Sequence, residues 1–109
     1  MSRTEANILN DCLIVLAEAG HLVWRQNTGV LKDANGRPIK FGLCKGSSDI
    51  IGLTSGGVFL AVECKTATGR VRPEQEHFIL AVRRKMGYAG VARSAKDALR
   101  IANGEMLDG

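Results

Sequence analysis

No stretch of this sequence is apolar for long enough to cross a bilayer. The longest uninterrupted apolar run, Cys12 to Ala17, falls far short of the ~20 residues a membrane helix needs. The N-terminus has none of the composition of a cleavable signal, so a soluble, cytoplasmic protein is expected. Cysteine is sparse and unpatterned. Cys12, Cys44 and Cys64 are odd in number, form no C-x-x-C, and sit among apolar neighbours, which argues against a disulfide framework and for small core residues in a reducing compartment. His21 and His77 are too far apart for a zinc motif and receive no role. Repeats, low-complexity tracts and linkers are also missing, so residues 1–109 are read as a single domain.

What is present is a modest positive excess, 15 Lys and Arg against 11 Asp and Glu, with a pI near 9.3. The excess is concentrated. From Arg25 to Lys45 there are five basic residues, Arg25, Lys32, Arg37, Lys40 and Lys45, opposed only by Asp33. A local patch of this sign favours polyanionic partners.

Ile8, Leu9, Cys12, Val15 and Leu16 recur at helical period until Gly20, and Ser2 to Glu5 has capping-box spacing, which predicts a first amphipathic helix. His21 to Asn27 reads as a strand. Val30–Leu31 and Ile39–Leu43 flank the turn signal Asp-Ala-Asn-Gly-Arg-Pro as a hairpin. Ile50 to Leu53 and Val58 to Thr66 read as strands joined by Thr-Ser-Gly-Gly. Pro73 opens a second helix carrying Phe78, Ile79, Val82 and Met86 and closing at Gly87. Tyr88 to Ala92 is a short strand, and Ser94 caps a last helix ending at Asn103-Gly104. That order implies an α/β fold with helices on a mixed central sheet, αβββαβ with a final helix.

The strand 58–66 carries the chemistry. Alternation places Phe59, Ala61, Glu63 and Lys65 on one face and Leu60, Val62, Cys64 and Thr66 on the other. With a three-residue loop at Ser55 to Gly57, position 54 pairs with 58, and Asp49 arrives opposite Glu63. Two facing carboxylates, with Cβ atoms about 4.5 to 5.5 Å apart, repel each other. A divalent cation such as Mg²⁺, which takes carboxylate oxygens, offsets that repulsion. Lys65 points into the same space, where an ammonium can hold water or steady charge on a phosphate. The plainer alternative is an exposed Glu63–Lys65 ion pair with Asp49 as a turn residue.

Two helices send polar groups inward. At about 100° per residue, Glu5 falls within the apolar arc of the first helix and faces the sheet, unless it only completes the cap with Ser2. Gln75 likewise lies within the arc of Phe78, Ile79, Val82 and Met86, where it either orients water or phosphate or bonds the backbone at the helix start.

Asp followed by Glu-x-Lys on the next strand resembles the PD-(D/E)xK nuclease superfamily. Glu5, "WRQNTG" (Trp24 to Gly29), "KGSSDIIG" (Lys45 to Gly52), "FLAVECKTATGRVRPEQEHF" (Phe59 to Phe78) and "GVARSAKDAL" (Gly90 to Leu99) narrow the resemblance to a stand-alone VRR-NUC (virus-type replication-repair nuclease) domain. Ser48 stands where the superfamily pattern has proline before the aspartate. The resemblance implies a restriction-endonuclease-like core and Mg²⁺- or Mn²⁺-dependent cleavage of DNA. It implies Asp49, Glu63 and the Cys64 carbonyl as metal ligands, Glu5 acting directly or through water, Lys65 as the catalytic lysine, and Gln75 lining the site. Related stand-alone domains imply a homodimer acting on four-way (Holliday) junctions in a bacterial or phage-infected cell.

Arg25, Lys32, Arg37, Lys40 and Lys45 are then candidates for phosphate contacts. Arg83-Arg84-Lys85 reads instead as a solvated helix face. Trp24, alternating with Arg25, is expected in the core, with base stacking as its alternative. A flap endonuclease or exonuclease shares the same active site. A non-catalytic nucleic-acid binding module is the rival from another class, although such a module gains nothing from acidic groups that repel phosphate.

Overall fold

The computed structural model describes residues 3–26, 29–41 and 45–109, with backbone alone at 29–31 and 39–41. The chain runs α1 (Glu5–Glu18), β1 (Leu22–Arg25), β2 (Gly29–Lys32), β3 (Pro38–Phe41), β4 (Ile50–Leu53), β5 (Phe59–Cys64), α2 (Pro73–Arg84), β6 (Tyr88–Ala92) and α3 (Ala95–Ala102). A four-stranded sheet has the order β1-β4-β5-β6, and β2 and β3 form a separate antiparallel hairpin inserted between β1 and β4. Pairings β1–β4 and β4–β5 are antiparallel, whereas β5–β6 is parallel because α2 carries the chain back across the sheet. The mixed α/β sheet expected from the sequence is therefore present. Among the described residues, no helix is long and apolar enough to cross a membrane.

Alternation along the strands splits the core in two. Ile50, Leu60, Val62 and Cys64 face α1 and α3, where they meet Ile8, Leu9, Cys12, Leu16, Ala98 and Ile101. Ile51 and Ala61 face the other way and pack with Ile79 and Val82 of α2 and with Ala89 and Val91 of β6. Each large aliphatic side chain buried in these layers contributes about 1.5 to 3 kcal/mol. β1 lies very close to β4. A Cβ on Gly52 would overlap the Leu22 carbonyl, so only glycine permits this approach.

The β4–β5 turn sets the register. The Thr54 N–H donates to the Val58 carbonyl at 2.8 Å, and Gly57 closes the three-residue loop at φ +84°. Ile50 then pairs with Val62 and Leu53 with Phe59, as expected.

Four local readings are corrected. Helix α1 begins at Glu5 with Thr4 as N-cap, and the reciprocal cap is between Thr4 and Asn7. Glu5 thus takes no part in the cap, and Ser2 lies outside the described residues. Met86 is 83% exposed rather than part of the α2 stripe. The helix ends at Arg84, and Met86 takes a left-handed φ of +69° in the turn that follows. Arg83 is not solvated with Arg84 and Lys85: it donates to the Ala89 and Leu107 carbonyls and pairs with Asp108 at 2.7 Å. Trp24 is 46% exposed, because β1 is an edge strand and α2 packs over β5 and β6.

Cys12 and Cys64 are free and buried, as small core residues are. Cys44 lies outside the described residues. The Cys64 thiol, hydrogen-bonded to Cys12 and buried, is held far above its ordinary titration range and is inert as a nucleophile.

Candidate active site

One residue before β4, the Gln26 N–H donates to the Asp49 carbonyl at 2.7 Å, which extends the β1–β4 ladder by one position. Continuing the β4–β5 register from Ile50–Val62 sets Asp49 beside Glu63. The Asp49 side chain turns back to the strand, and its Oδ2 accepts the Cys64 N–H at 2.8 Å. Glu5 arrives from the first turn of α1. One carboxylate oxygen from each of Glu5, Asp49 and Glu63 lies within 4.8 Å of the other two.

The three differ in exposure. Glu5 is exposed, Asp49 is half-buried and Glu63 is 1% exposed. Glu5 thus comes within reach of Asp49 and Glu63, but it is exposed to water rather than turned away from it as its place in the apolar arc suggests. Burial, then a hydrogen bond and charge repulsion from Asp49, push the Glu63 carboxyl up from 4.5 to about 9, with Lys65 pulling the other way. Glu63 Oε1 is buried with no hydrogen-bond partner among the described residues. An unsatisfied oxygen on a buried carboxylate that clusters with two more carboxylates fits a bound cation, and an all-oxygen donor set suits a hard divalent ion.

Lys65 and Gln75 complete the set. Lys65 Nζ lies 3.8 Å from Glu63 Oε2, with both side chains under a tenth exposed. The ion pair that was the plainer sequence reading exists, but it is buried at the carboxylate cluster rather than solvated. Gln75 Nε2 donates to Glu63 Oε2 at 3.3 Å, while its Oε1 accepts the Arg72 N–H at 2.9 Å. The amide therefore serves the helix start and the site together. Gly46 supports this corner: at φ +87° it lies flat against the Glu74 carbonyl, where a Cβ would collide. Ser48, in place of the pattern's proline, is buried, and its hydroxyl has no partner among the described residues.

A residue missed in the sequence is Arg93. Its Nη1 donates to the Thr66 carbonyl at 2.5 Å and the Gly69 carbonyl at 2.8 Å. Its N–H donates to Asp97, and the Lys65 N–H bonds the Ala92 carbonyl beside it. Arg93 thereby clamps the loop between Lys65 and Gln75. Nothing in a lone arginine after an apolar strand signals that its partners are carbonyls some 25 residues earlier.

The basic residues do not join this cluster through any contact in the described residues. Arg25, Lys32, Arg37 and Lys45 are exposed, Arg37 pairs with Asp33 at 3.4 Å, and the Lys40 side chain lies outside the described residues.

The fold is a four-stranded mixed sheet with helices on both faces. A solved structure titled "VRR_NUC domain" is similar to it with a TM-score of 0.62 at 20% identity, covering 92% of this chain and 95% of that chain. The VRR-NUC domain family model matches residues 31–96, more than half of the sequence, and the chain belongs to that family. No curated protein sequence matches it.

Proposed function

We propose that this chain is a Mg²⁺- or Mn²⁺-dependent endonuclease that hydrolyses phosphodiester bonds in branched DNA, with four-way junctions as substrate and a homodimer as the acting form. The observation that supports it most is the convergence of Glu5, Asp49 and Glu63, with the buried Lys65 ammonium 3.8 Å from Glu63. Asp49, Glu63 and the Cys64 carbonyl are the proposed metal ligands, with Glu5 joining directly or through water. A divalent cation, when bound, supplies charge neutralisation at the phosphate and acidifies a nearby water.

The chain's own groups do the rest. Asp49 is oriented by the Cys64 N–H, which fixes one oxygen and aims the other. Gln75 holds Glu63 Oε2 and so sets the rotation of that carboxylate. Lys65 provides a positive donor for a phosphoryl oxygen as charge grows on it, inside a poorly solvated site where such a contact is strong. Arg25, Lys32, Arg37, Lys40 and Lys45 hold the strand through its phosphates, which costs little selectivity and gives most of the affinity.

Junction preference and the dimer rest on the resemblance to stand-alone members and on the match between twofold symmetry and a four-armed substrate. The test is cleavage of a panel (four-way junction, flap, duplex, single strand) with Mg²⁺ or Mn²⁺, comparing the natural chain with Lys65→Ala. Metal-dependent junction cleavage lost in Lys65→Ala is the expected result. No cleavage by either protein, or equal cleavage by both, overturns the enzyme reading, and preferential flap cutting moves the substrate while leaving the site intact.

A further inference from the structure

The exposed indole is the feature that the proposed chemistry leaves unused. In β1, Leu22 and Trp24 point to the α2 side of the sheet, since Trp24 pairs with Ile51 and Leu22 with Leu53. Asp49 and Glu63 point to that same side, one alternation further along their strands. Trp24 is therefore a diagonal neighbour of Asp49, a separation of about 7 to 8 Å across adjacent strands.

The ring is also tied to the acidic row. Trp24 Nε1 donates to Gln26 Oε1 at 3.4 Å, and the Gln26 backbone N–H donates to the Asp49 carbonyl at 2.7 Å. An exposed indole on a sheet edge, oriented by a bond to the residue that aligns a metal-ligand candidate, is preset to receive something bound at that row. Arg25, the next residue, is exposed but pairs with Ile50 and so points to the opposite face of the sheet, which leaves the indole beside the acidic row on its own face.

We propose that Trp24 is a stacking platform for an unpaired nucleobase of the strand whose phosphate occupies the Glu5–Asp49–Glu63 cluster. The proposal rests on the nuclease reading and extends it to how the substrate is chosen. A base can lie flat on the indole only where it is unstacked from its neighbours, as at a branch point or in a single strand, and continuous duplex cannot offer one without distortion. Sequence tolerance follows, because every base has a face to stack. Charge decides against a second copy of this chain as occupant: the middle of a protein–protein contact is depleted in charged residues, whereas this indole lies one diagonal from the Asp49 carboxylate.

The chain has one tryptophan, so its emission reports on this position alone. The natural protein, in EDTA, is titrated with a short oligothymidylate and with an abasic sugar-phosphate oligomer of the same length. Quenching by the first and none by the second is expected. Anisotropy of a labelled oligothymidylate should show Trp24→Ala binding about five- to a hundredfold more weakly, with Trp24→Phe within about threefold of the natural chain. Oligothymidylate that binds without quenching, or binds Trp24→Ala equally well, overturns the platform. So does emission that shifts with protein concentration in the absence of DNA, which places the ring between two copies of the chain. Quenching without metal-dependent cleavage in the substrate panel would sink the nuclease reading and spare the platform, and cleavage without quenching would do the reverse.

Discussion

Asp49 Oδ2 accepts the backbone N–H of Cys64 at 2.8 Å, so the carboxylate that faces Glu63 is anchored to the peptide beside Glu63. Side chain and strand are locked together, and this separates charge from structure in a testable way. Asn at position 49 keeps an oxygen for the Cys64 N–H, and Ala does not. Asp49→Asn is expected to hold its melting temperature within a few degrees while losing cleavage by at least about a hundredfold. Asp49→Ala should lose cleavage and also about 1 to 3 kcal/mol of stability, from the half-buried N–H left without its partner. Thermal denaturation beside single-turnover cleavage reads both.

Glu63 makes the fold pH-sensitive. Its carboxyl titrates near 9 when folded and near 4.5 when unfolded, so the folded state binds the proton more tightly. The resulting stability is fully present below pH 4.5 and is lost as pH rises towards 9, at up to about 1.4 kcal/mol per unit. In EDTA the natural chain should lose stability between pH 5 and pH 8, and Glu63→Gln, which imitates the protonated form, should be flatter over that range and more stable at pH 8. Divalent cation added at pH 8 should raise the melting temperature of the natural chain only. Parallel pH profiles for the two proteins would contradict the assignment of burial and Asp49 as causes.

Lys32 and Lys45 are exposed and have no ion pair among the described residues. If they touch phosphates, the Lys32→Ala, Lys45→Ala double variant should lower the slope of log affinity against log salt by up to about 2. The cleavage rate at saturating DNA should remain within about threefold. A slope unchanged by the double variant would remove these two residues from the DNA interface.

Arg93 bonds two carbonyls of the loop that separates Lys65 from Gln75. Hydrogen bonds from a charged donor contribute about 1.5 to 3 kcal/mol each, so Arg93→Ala should be destabilised by several degrees. If the clamp positions Lys65, kcat should fall about tenfold or more while KM stays within about twofold, and Arg93→Lys should recover part of the rate. Loss of stability with unchanged kcat would leave Arg93 a structural residue only.

The register of one hairpin was legible in advance because a three-residue turn and a period of two leave little freedom. From Ser55 to Gly57 alone, Asp49 is expected beside Glu63; the strands keep that register up to Ile50–Val62, and the two carboxylates come within 4.8 Å. Gln75 was legible in part: helical period put it inside an apolar stripe and the bond from the Arg72 N–H was one of its two readings, whereas its bond to Glu63 was not foreseen. Trp24 was misread for a reason of a different kind. Alternation says which residues share a face, but not whether a helix covers that face, and α2 leaves the β1 flank open. Met86 failed similarly, because a helix's last turn is decided by how its end is closed, here through a left-handed residue before Gly87.

Periodicity, turn chemistry and the order of its motifs thus determined the strands, the helices and the family by themselves, because these depend on neighbours in the chain. Tertiary structure decided the rest: that Glu5 reaches Asp49 and Glu63 from another element, that Glu63 is buried deeply enough to be pushed above the usual carboxylate range, and that Arg93 grips the loop behind Lys65. Those outcomes depend on distances between residues far apart in sequence and on how much water packing leaves between them, and no local pattern encodes either.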